Sequence, residues 1–328
     1  MEKIPVAIIG LGRIASLLDD DPLREKPCTH AGAINANPDC SLVAGSDQDE
    51  SRRRLFAEGR HCPVYADAAA MLKAHHPQLL HIATPPESHA QYCRLAAEYQ
   101  VPVVVCEKPL ADTLQGAQEI AALHRKGGIK IITNHERRYA EDYQQAKAIL
   151  NRNLLGRLLS VKTTLYMGRT RHLHSMLWDD GTHIVDILMF LTSSGLRQEA
   201  SWGAKLSDKT GSAFFQGYLE PETEAWHEVP FLIEVGAERD HLVFELDFSC
   251  ERGRLRIGNG IYEVWESGPC PYADHFRSLR RTRETFTGLT GYFANMVQDA
   301  VACVREPGRE PCSSALDGLR VIEYLNCV

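Results

Sequence analysis

Five short apolar runs, separated by stretches of helical character, occupy the first 135 residues and constrain the fold most strongly. The runs lie at residues 6–9, 42–45, 79–83, 103–106 and 129–132. Strands that are apolar throughout are buried on both faces, as in a parallel sheet covered by helices on each side. Helices are predicted between them at the following stretches: residues 67–74, 88–99 and 114–126. The sequence therefore predicts an α/β fold with a doubly wound parallel sheet.

The pattern changes after about residue 135, where apolar and polar side chains begin to alternate. Residues 158–167 and 241–248 show this alternation, which predicts a mainly antiparallel sheet with one open face. Further strands and helices are predicted at residues 254–257, 261–266, 140–151, 290–304 and 313–325. We therefore expect two domains, residues 1–135 and an α+β domain of residues 136–328, with the last helices able to pack back on the first domain.

Composition excludes several classes of protein. The 328-residue chain has a formal net charge of -7, which argues against a nucleic-acid partner. It shows neither a signal-peptide pattern nor an apolar run long enough to span a membrane, so we expect a cytoplasmic protein without a membrane partner. Its ten cysteines are scattered without C-x-x-C spacing, which predicts reduced thiols and no metal site.

A glycine-rich turn, Gly-Leu-Gly-Arg-Ile-Ala, follows the first predicted strand and starts at Gly10. Gly10 permits a tight turn, Gly12 lets the backbone approach a pyrophosphate, and Ala15 allows close packing. We expect a helix to open here with its N–H groups facing the phosphates. The turn predicts a dinucleotide site in which Gly10, Gly12, Arg13 and Ile14 contact the cofactor.

The acid expected at the end of the second strand is Asp47. It lies 47 − 10 = 37 residues after Gly10, although about 20 is usual. Residues 19–27 explain the excess, because three aspartates and two prolines without an apolar period predict an inserted loop, after which the helical pattern resumes at residues 30–34. An acid at this position repels a 2′-phosphate and favours NAD over NADP. Three arginines at residues 52–54 either offset that repulsion or belong to a surface helix turn.

Lys108, within Glu107-Lys108-Pro109, directly follows the fourth predicted strand. Most lysines are solvated surface charges. Ligands of doubly wound sheets, however, bind at the carboxyl ends of the strands. Together with the glycine turn, this position predicts that the Lys108 ammonium points into the cofactor crevice.

These motifs resemble the Gfo/Idh/MocA family of sugar and polyol oxidoreductases over most of the chain. The resemblance implies that Thr84, Pro85, His89 and Glu107 join Lys108 and the glycine turn in binding NAD. Two departures are the insertion at residues 19–27 and a glutamate at residue 136, where many members carry asparagine. The matching segments are His30-Ala31 and residues 10–15, 83–89, 107–109, 134–139, 179–186 and 312–319.

The resemblance also assigns Lys108, Asp179 and His183 to catalysis. Oxidation of an alcohol by NAD needs a base for the hydroxyl proton while hydride leaves carbon. His183 suits the base because the ordinary pKa of histidine is about 6.5, and the Lys108 ammonium polarises the hydroxyl. Asp179 precedes His183 by one helical turn and is predicted to share a face with it, where it orients the histidine or binds a sugar hydroxyl.

The substrate side is expected around residues 166–174, which lead into the Asp179–His183 motif. Two arginines and two histidines here either clamp a phosphate or diphosphate or form an exposed basic loop. The predicted substrate contacts, besides Asp179 and His183, are Arg138, Tyr166, Arg169, Arg171 and His174.

The resulting prediction is an NAD-dependent dehydrogenase that oxidises a secondary hydroxyl of a sugar or nucleotide sugar. Among family members, the arginine-bearing loop resembles those acting on C3 of a UDP-N-acetylhexosamine such as UDP-N-acetylglucosamine. The alternatives are a free polyol, inositol or glucose dehydrogenase, a sugar–sugar oxidoreductase with tightly bound cofactor, and a non-enzymatic NAD-responsive regulator. The open sheet and the family resemblance predict a homodimer or homotetramer.

Overall fold

The chain forms two compact units in the computed structural model, which describes residues 2–168, 171–221, 228–282, 286 and 288–328. The first unit contains Met1–Ala140 and Leu289–Glu323, and the second contains Glu141–Gly288 and Tyr324–Val328. The chain thus enters the second unit after Ala140 rather than after residue 135, and it returns to the first unit at Leu289.

A parallel sheet forms the centre of the first unit. Within the described part of this unit its six strands are β1 (Ile4–Ile9), β2 (Cys40–Ser46), β3 (Val64–Tyr65), β4 (Leu79–Ile82), β5 (Val103–Cys106) and β6 (Lys130–Thr133). Their order is β3-β2-β1-β4-β5-β6, and every neighbouring pair is parallel. The order reverses between β1 and β4, where doubly wound sheets bind ligands. The predicted doubly wound parallel sheet is confirmed.

Helices connect these strands, and several begin at a side chain that caps them. They are α1 (His30–Ala36), α2 (Glu50–Arg60), α3 (Ala68–His75), α4 (His89–Glu98) and α5 (Leu114–Arg125). Thr29, Asp49, Asp67 and Thr113 each accept a backbone N–H from the first turn of the helix that follows. Such caps satisfy N–H groups that have no partner inside the helix, so they fix where each helix starts.

The segment after the glycine turn differs from the prediction. Residues 12–16 form turns, Leu17–Asp20 is a short 3-10 helix, and α1 begins only at His30. No helix opens at the glycine turn, because the insertion separates the turn from α1, and the helical pattern predicted to resume at residues 30–34 is confirmed as part of α1. The carboxylate of Asp19 accepts hydrogen bonds from the Thr29 hydroxyl and from Arg60, at 2.5 and 3.1 Å. The insertion is thus held by side-chain hydrogen bonds, and residues 21–29 contain neither helix nor strand.

The second unit is built on a mixed but mainly antiparallel sheet. Its eight strands among the described residues are β7 (Leu158–Met167), β8 (Ser194–Gly203), β9 (Ser212–Pro221), β10 (Pro230–Gly236), β11 (Leu242–Cys250), β12 (Gly253–Gly258), β13 (Ile261–Pro269) and β14 (Arg277–Arg281). The order is β14-β13-β12-β11-β7-β10-β9-β8, in which β7 and β10 pair in parallel and the other neighbours are antiparallel. The predicted large antiparallel sheet is confirmed.

One face of this second sheet is covered by helices. The helices of the unit are α6 (Glu141–Asn151), α7 (Leu173–Ser175) and α8 (Gly181–Thr192). Helix α8 is buried on nearly all sides and packs on β7, β8 and β11. Val161, Leu165 and Phe244 point to this covered face, and Lys162 points to the opposite, outer face. Among the described residues, no helix is both long enough and apolar enough to cross a membrane.

The chain ends with helices α9 (Tyr292–Arg305) and α10 (Ala315–Cys327). In the first unit, α9 packs against α1, and its buried Phe293, Met296 and Val297 join the core of the parallel sheet. The insertion reaches the start of this helix. The Glu25 carboxylate accepts hydrogen bonds from the backbone N–H groups of Thr290 and Gly291, at 2.9 and 2.6 Å, and from the Thr290 hydroxyl. The insertion therefore holds the first turn of α9 in place.

We expect Glu25→Ala to lower the free energy of unfolding by about 1–2 kcal/mol, because it removes the acceptor for these groups. Urea unfolding followed by circular dichroism measures the change. The matched control is Glu58→Ala, whose exposed carboxylate lies 3.8 Å from Arg54 and should contribute less than about 0.5 kcal/mol. A Glu25→Ala loss no larger than that of the control would contradict the capping role.

Candidate functional site

The glycine turn is tight at its first glycine and open at its second. Gly10 has a φ of 86°, and a Cβ added there would lie 2.6 Å from the carbonyl oxygen of Ala83. Its N–H donates to the Ser46 carbonyl at 2.8 Å. At Gly12 the nearest atom to an added Cβ is Nη1 of Arg52, 3.9 Å away. The turn thus leaves its backbone accessible at the point where a pyrophosphate has to approach.

Asp47 lies beside this turn at the end of β2. Its carboxylate accepts the N–H groups of Leu11 at 2.8 Å and Asp49 at 2.9 Å, and Nη1 of Arg52 lies 3.7 Å away. A carboxylate offers about four lone-pair positions, so acceptor capacity remains for two ribose hydroxyls. Arg53 donates instead to the Asp47 carbonyl. Asp47 therefore has the position and free lone pairs that a ribose-binding acid needs.

A cleft of about 380 Å³ opens next to Asp47 in the first unit. It is lined by Ile9, Gly10, Ser46, Asp47, Gln48, Asp49, Arg52, Ala66, Ala83, Thr84, Pro85, Glu87, Ser88, Gln91 and Tyr92. Of the predicted cofactor contacts, Gly10, Asp47, Thr84 and Pro85 share this cleft. Arg13 is exposed in the glycine turn and Ile14 is partly buried there. The residues present fit a dinucleotide, because Asp47, an acid for the ribose, lines this cleft, and the glycine turn beside it has an open Gly12 for the pyrophosphate.

Replacing Asp47 should change the choice of cofactor. We expect Asp47→Asn to weaken NADH binding about tenfold, since a hydrogen bond to a charged group contributes about 1.5–3 kcal/mol. NADPH binding should improve relative to NADH, because the repelling charge is removed while Arg52 stays nearby. Isothermal titration calorimetry with both cofactors measures the ratio, and Asp67→Asn, a cap of α3, is the control for general destabilisation. An unchanged ratio would show that Asp47 does not contact the ribose.

His89 links the loops that follow β4 and β5. Its ring is fully buried, with Nε2 2.8 Å from the Thr84 carbonyl oxygen and Nδ1 3.1 and 3.2 Å from the carbonyl oxygens of Pro109 and Leu110. Both nitrogens therefore face the protein backbone rather than the cleft. The expected cofactor contact of His89 is replaced by a supporting one, in which the imidazole holds two loops at the sheet edge together.

Glu107 is a buried anion next to Lys108. Its Oε1 accepts from Nε2 of His30 at 2.9 Å and from Nδ2 of Asn134 at 2.5 Å. Burial raises the pKa of Glu107, but the hydrogen bonds from His30 and Asn134 and the charge of Lys108 outweigh it, so the pKa lies below its ordinary value. The Glu107 carboxylate is thus directed into the protein, where it can hold the backbone and charge of Lys108 in place.

Two further groups near Lys108 received no role from the sequence. His81 lies in the middle of β4, with Nδ1 2.8 Å from Nδ1 of His30. Burial raises the pKa of Glu136 above its ordinary value, although Arg137 and Lys108 oppose the shift. The sequence contains a signal for each group: His81 is a histidine inside an apolar run, and Glu136 is a glutamate where many family members carry asparagine. The first unit therefore surrounds Lys108 with more ionisable groups than the motifs indicated.

In the second unit, His183 and Asp179 have different surroundings. His183 lies in the first turn of α8 and is 9% exposed, whereas the Asp179 side chain is 52% exposed and pairs with Arg171 at 3.2 Å. Asp179 belongs to a π-helical turn, Met176–Asp180, which is wider than an α-turn. The prediction that Asp179 and His183 share one face of a regular helix therefore needs correction, because the helix changes its pitch between them.

Tyr166 lies on the outer face of the second sheet. Its hydroxyl donates to Oε1 of Glu234 at 2.7 Å, and both residues face away from α8 because side chains alternate along β7. His183 lies on α8, which covers the other face. Tyr166 and His183 therefore lie on opposite sides of the sheet, and the substrate contact expected of Tyr166 stays a prediction.

The other predicted substrate contacts are distributed between the units. Arg138 in the first unit is buried and donates to the Cys312 carbonyl at 3.0 Å, with Asp317 at 3.1 Å. It therefore stabilises the approach to α10 and is not available to a substrate. In the second unit, Arg171 pairs with both Asp179 and Asp180, and exposed His174 stacks on Trp178 with ring centroids 5.8 Å apart. Arg169 lies outside the described residues.

The described parts of the chain contain free thiols but no cluster of metal ligands. There, no group of three or more His, Cys, Asp or Glu side chains is placed to hold a metal ion. All ten cysteines are described, and each is a free thiol.

Known proteins resemble the chain most clearly in its first unit. A family model described as "Oxidoreductase family, NAD-binding Rossmann fold" (GFO_IDH_MocA) matches residues 4–135. D-glucoside 3-dehydrogenase of Escherichia coli (strain K12) is 30% identical over 154 residues, which are 47% of this chain and 40% of that protein. dTDP-3,4-didehydro-2,6-dideoxy-alpha-D-glucose 3-reductase of Streptomyces antibioticus is 28% identical over 129 residues, 39% of each chain. The chain thus spans less than half the length of these curated relatives.

Likeness to solved structures extends over both units. The crystal structure of myo-inositol 2-dehydrogenase from Lactobacillus plantarum has a TM-score of 0.74 and 18% sequence identity, and the match covers 99% of this chain and 96% of that one. At this identity the match shows a common fold. The β3-β2-β1-β4-β5-β6 sheet, the glycine turn and Asp47 all lie within residues 4–135, the part of the chain that matches the GFO_IDH_MocA oxidoreductase model, an NAD-binding Rossmann fold.

Proposed function

We propose that this protein is an NAD-dependent dehydrogenase that oxidises a secondary hydroxyl of a sugar or nucleotide sugar. The observation that carries this function is Lys108, which follows β5 at the ligand-binding edge of the sheet and adjoins the buried anion Glu107. A cation held beside an NAD site suits an alcohol that becomes an alkoxide during oxidation. The sugar class is supported by relatives whose names describe glucoside and inositol dehydrogenases.

Three side chains of this protein have distinct parts in the proposed reaction. Lys108 donates a hydrogen bond to the substrate hydroxyl oxygen and stabilises its developing negative charge. His183 accepts the hydroxyl proton, while Asp179 orients that histidine or binds a neighbouring sugar hydroxyl. Bound NAD supplies the hydride acceptor, nicotinamide C4, so the carbinol C–H and O–H bonds break as a carbonyl forms.

A nucleotide sugar is the finer form of this function, with C3 of a UDP-N-acetylhexosamine as the oxidised position. It is supported by the relative named as a dTDP-sugar 3-reductase and by the stacked rings of His174 and Trp178, since aromatic faces suit sugar and base rings. A diphosphate would compete with Asp179 and Asp180 for Arg171. Free sugars and polyols are therefore tested beside the nucleotide sugar as alternative substrates.

The test is a spectrophotometric screen of NAD reduction with UDP-N-acetylglucosamine, methyl glucoside, glucose and myo-inositol. We expect turnover with a member of this panel, and a preference for the UDP-sugar supports the finer form. Turnover confined to glucose or myo-inositol would reject the nucleotide sugar but keep the dehydrogenase. Protein that binds NADH yet oxidises none of them, alone or with a sugar acceptor, would favour a regulator.

The second unit has two parts in this proposed function. It contributes the substrate contacts and joins copies of the chain into a homodimer or homotetramer through the outer face of its sheet. A concavity of about 650 Å³ on that face is lined by residues such as Lys162, Leu232 and Trp202. Sedimentation equilibrium measures the mass, and a monomer at micromolar concentration would contradict this assembly.

A further inference from the structure

His81 is a polar residue in a strand that is otherwise apolar. Its neighbours in β4, Leu79, Leu80 and Ile82, are fully buried, and so is the imidazole itself. A buried donor or acceptor left without a hydrogen bond costs about 1–3 kcal/mol. A histidine in this position is therefore retained at a cost to stability unless its contacts compensate.

The contacts of His81 compensate only in part. Nδ1 lies 2.8 Å from Nδ1 of His30, and Nε2 has no hydrogen-bond partner among the described residues. Burial, with the neighbouring His30, lowers the pKa of His81 well below its ordinary value, so the ring is neutral. One hydrogen bond needs one donor and one acceptor, so the two Nδ1 atoms share a single proton.

His30 also forms a hydrogen bond with Glu107. Its second nitrogen, Nε2, lies 2.9 Å from Oε1 of the ionised Glu107 and must donate, because a carboxylate only accepts. Asn134 donates to the same oxygen at 2.5 Å. The Nδ1 contact with His81 and the Nε2 contact with Glu107 together fix the orientation of the His30 ring. A continuous line of hydrogen bonds thus runs from β4 through α1 to the residue next to Lys108.

We propose that His81, acting through His30, is a positioning residue that keeps the Glu107 carboxylate ionised and oriented, and thereby places Lys108. Asn134 supports the same oxygen from the end of β6. The effect on turnover rests on the proposed dehydrogenase function, in which Lys108 polarises the substrate hydroxyl. The hydrogen-bond line itself exists independently of that function.

Other ionisable groups surround this line and bear on its pH behaviour. Lys108 and Asn134 face Glu107, Glu136 and Arg137 lie on the segment after β6, and Cys106 precedes Glu107 on β5. Burial raises the pKa of Cys106 well above its ordinary value, so this thiol stays neutral. From α9, the nearest ring to His30 is the uncharged Phe293, with centroids 5.3 Å apart. In the acid range, Glu107 and Glu136 are therefore the carboxyl groups that titrate near Lys108.

His81→Asn and His81→Leu test the proposal, because the two new side chains have nearly the same shape and only asparagine keeps a donor near Nδ1. We expect His81→Leu to lower kcat about tenfold to a hundredfold through misplacement of Lys108, with NADH affinity unchanged. Without its support the pKa of Glu107 rises, so the loss of activity at low pH begins at a higher pH. His81→Asn should keep the wild-type rate within about twofold and the wild-type pH profile.

Controls separate this effect from loss of a hydrogen-bonded histidine in general. His75→Leu removes a ring that contacts the Tyr65 hydroxyl at 2.9 Å and should leave the pH profile unchanged. Asn134→Leu removes the second donor to Glu107 and should shift the acid limb in the same direction as His81→Leu. If His81→Leu does not fold, the comparison of His81→Asn with the wild type and the histidine NMR spectrum of the wild-type protein carry the test. Equal behaviour of His81→Asn and His81→Leu would overturn the proposal.

A readout without turnover distinguishes failure of this inference from failure of the proposed function. In ¹⁵N-histidine NMR spectra of the whole protein we expect one shared proton that couples Nδ1 of His81 to Nδ1 of His30, and its loss in His81→Leu. Absence of that signal in the wild type overturns the inference even if sugars are oxidised. Its presence in a protein without dehydrogenase activity would sustain the hydrogen-bond line and reject only the role in turnover.

Discussion

Lys108→Met is expected to lower kcat for sugar oxidation by about 10²- to 10³-fold while NADH still binds. The ammonium is the group that stabilises the developing alkoxide, and removal of one such donor typically has an effect of this size. Methionine keeps most of the length of the side chain, so the loop around Pro109 should stay folded. Steady-state kinetics on the best substrate of the screen measures kcat, and calorimetry measures the NADH affinity.

Lys126→Met is the matched control for this prediction. Lys126 is exposed at the end of α5, so its charge should be dispensable. The same kcat in Lys108→Met and in the control would reject Lys108 as the polarising group. A loss of NADH binding equal to the loss of kcat would instead make Lys108 a cofactor residue.

Local sequence patterns predicted the first sheet well because its strands are buried on both faces. Strand β5 was predicted with its observed bounds, since residues 103–106 are apolar throughout. The helix expected directly after Gly10, in contrast, does not form. A helix start depends on which residue caps it, and the cap is Thr29, beyond the insertion. Strands β8, β9 and β10 were not predicted, because β8 is largely polar and the consecutive apolar residues of β9 and β10 hide their alternation.

Side-chain roles were predictable where they depend on position along the chain and not where they depend on distant partners. Asp47 could be found from its place after the second strand. The partner of Arg138, however, is Asp317, which is 317 − 138 = 179 residues away, and nothing local indicates that pair. The face on which Tyr166 lies could not be predicted either, because it depends on which side of the sheet the helices cover. The line from His81 to Glu107 likewise joins segments separated by 77 and 51 residues.

Replacement of each glycine of the turn by alanine should have a different effect, on stability at Gly10 and on NADH affinity at Gly12. Gly10→Ala should destabilise the protein by about 3 kcal/mol, because a Cβ would lie 2.6 Å from the Ala83 carbonyl oxygen and an L-residue is strained at a φ of 86°. The colliding atom belongs to the backbone of the neighbouring strand end, so it cannot move aside as a side chain could. Thermal unfolding monitored by circular dichroism measures this loss.

Gly12→Ala is the informative partner, because the fold has room for the methyl group. Its nearest neighbour would be Nη1 of Arg52 at 3.9 Å, so the unfolding temperature should stay within about 2 °C of wild type. The methyl would, however, occupy the approach of the pyrophosphate, and we expect the Kd for NADH to rise at least about tenfold. Wild-type NADH affinity in a stable Gly12→Ala protein would mean that the pyrophosphate binds elsewhere. The pair thus separates the glycine that the fold requires from the glycine that the cofactor requires.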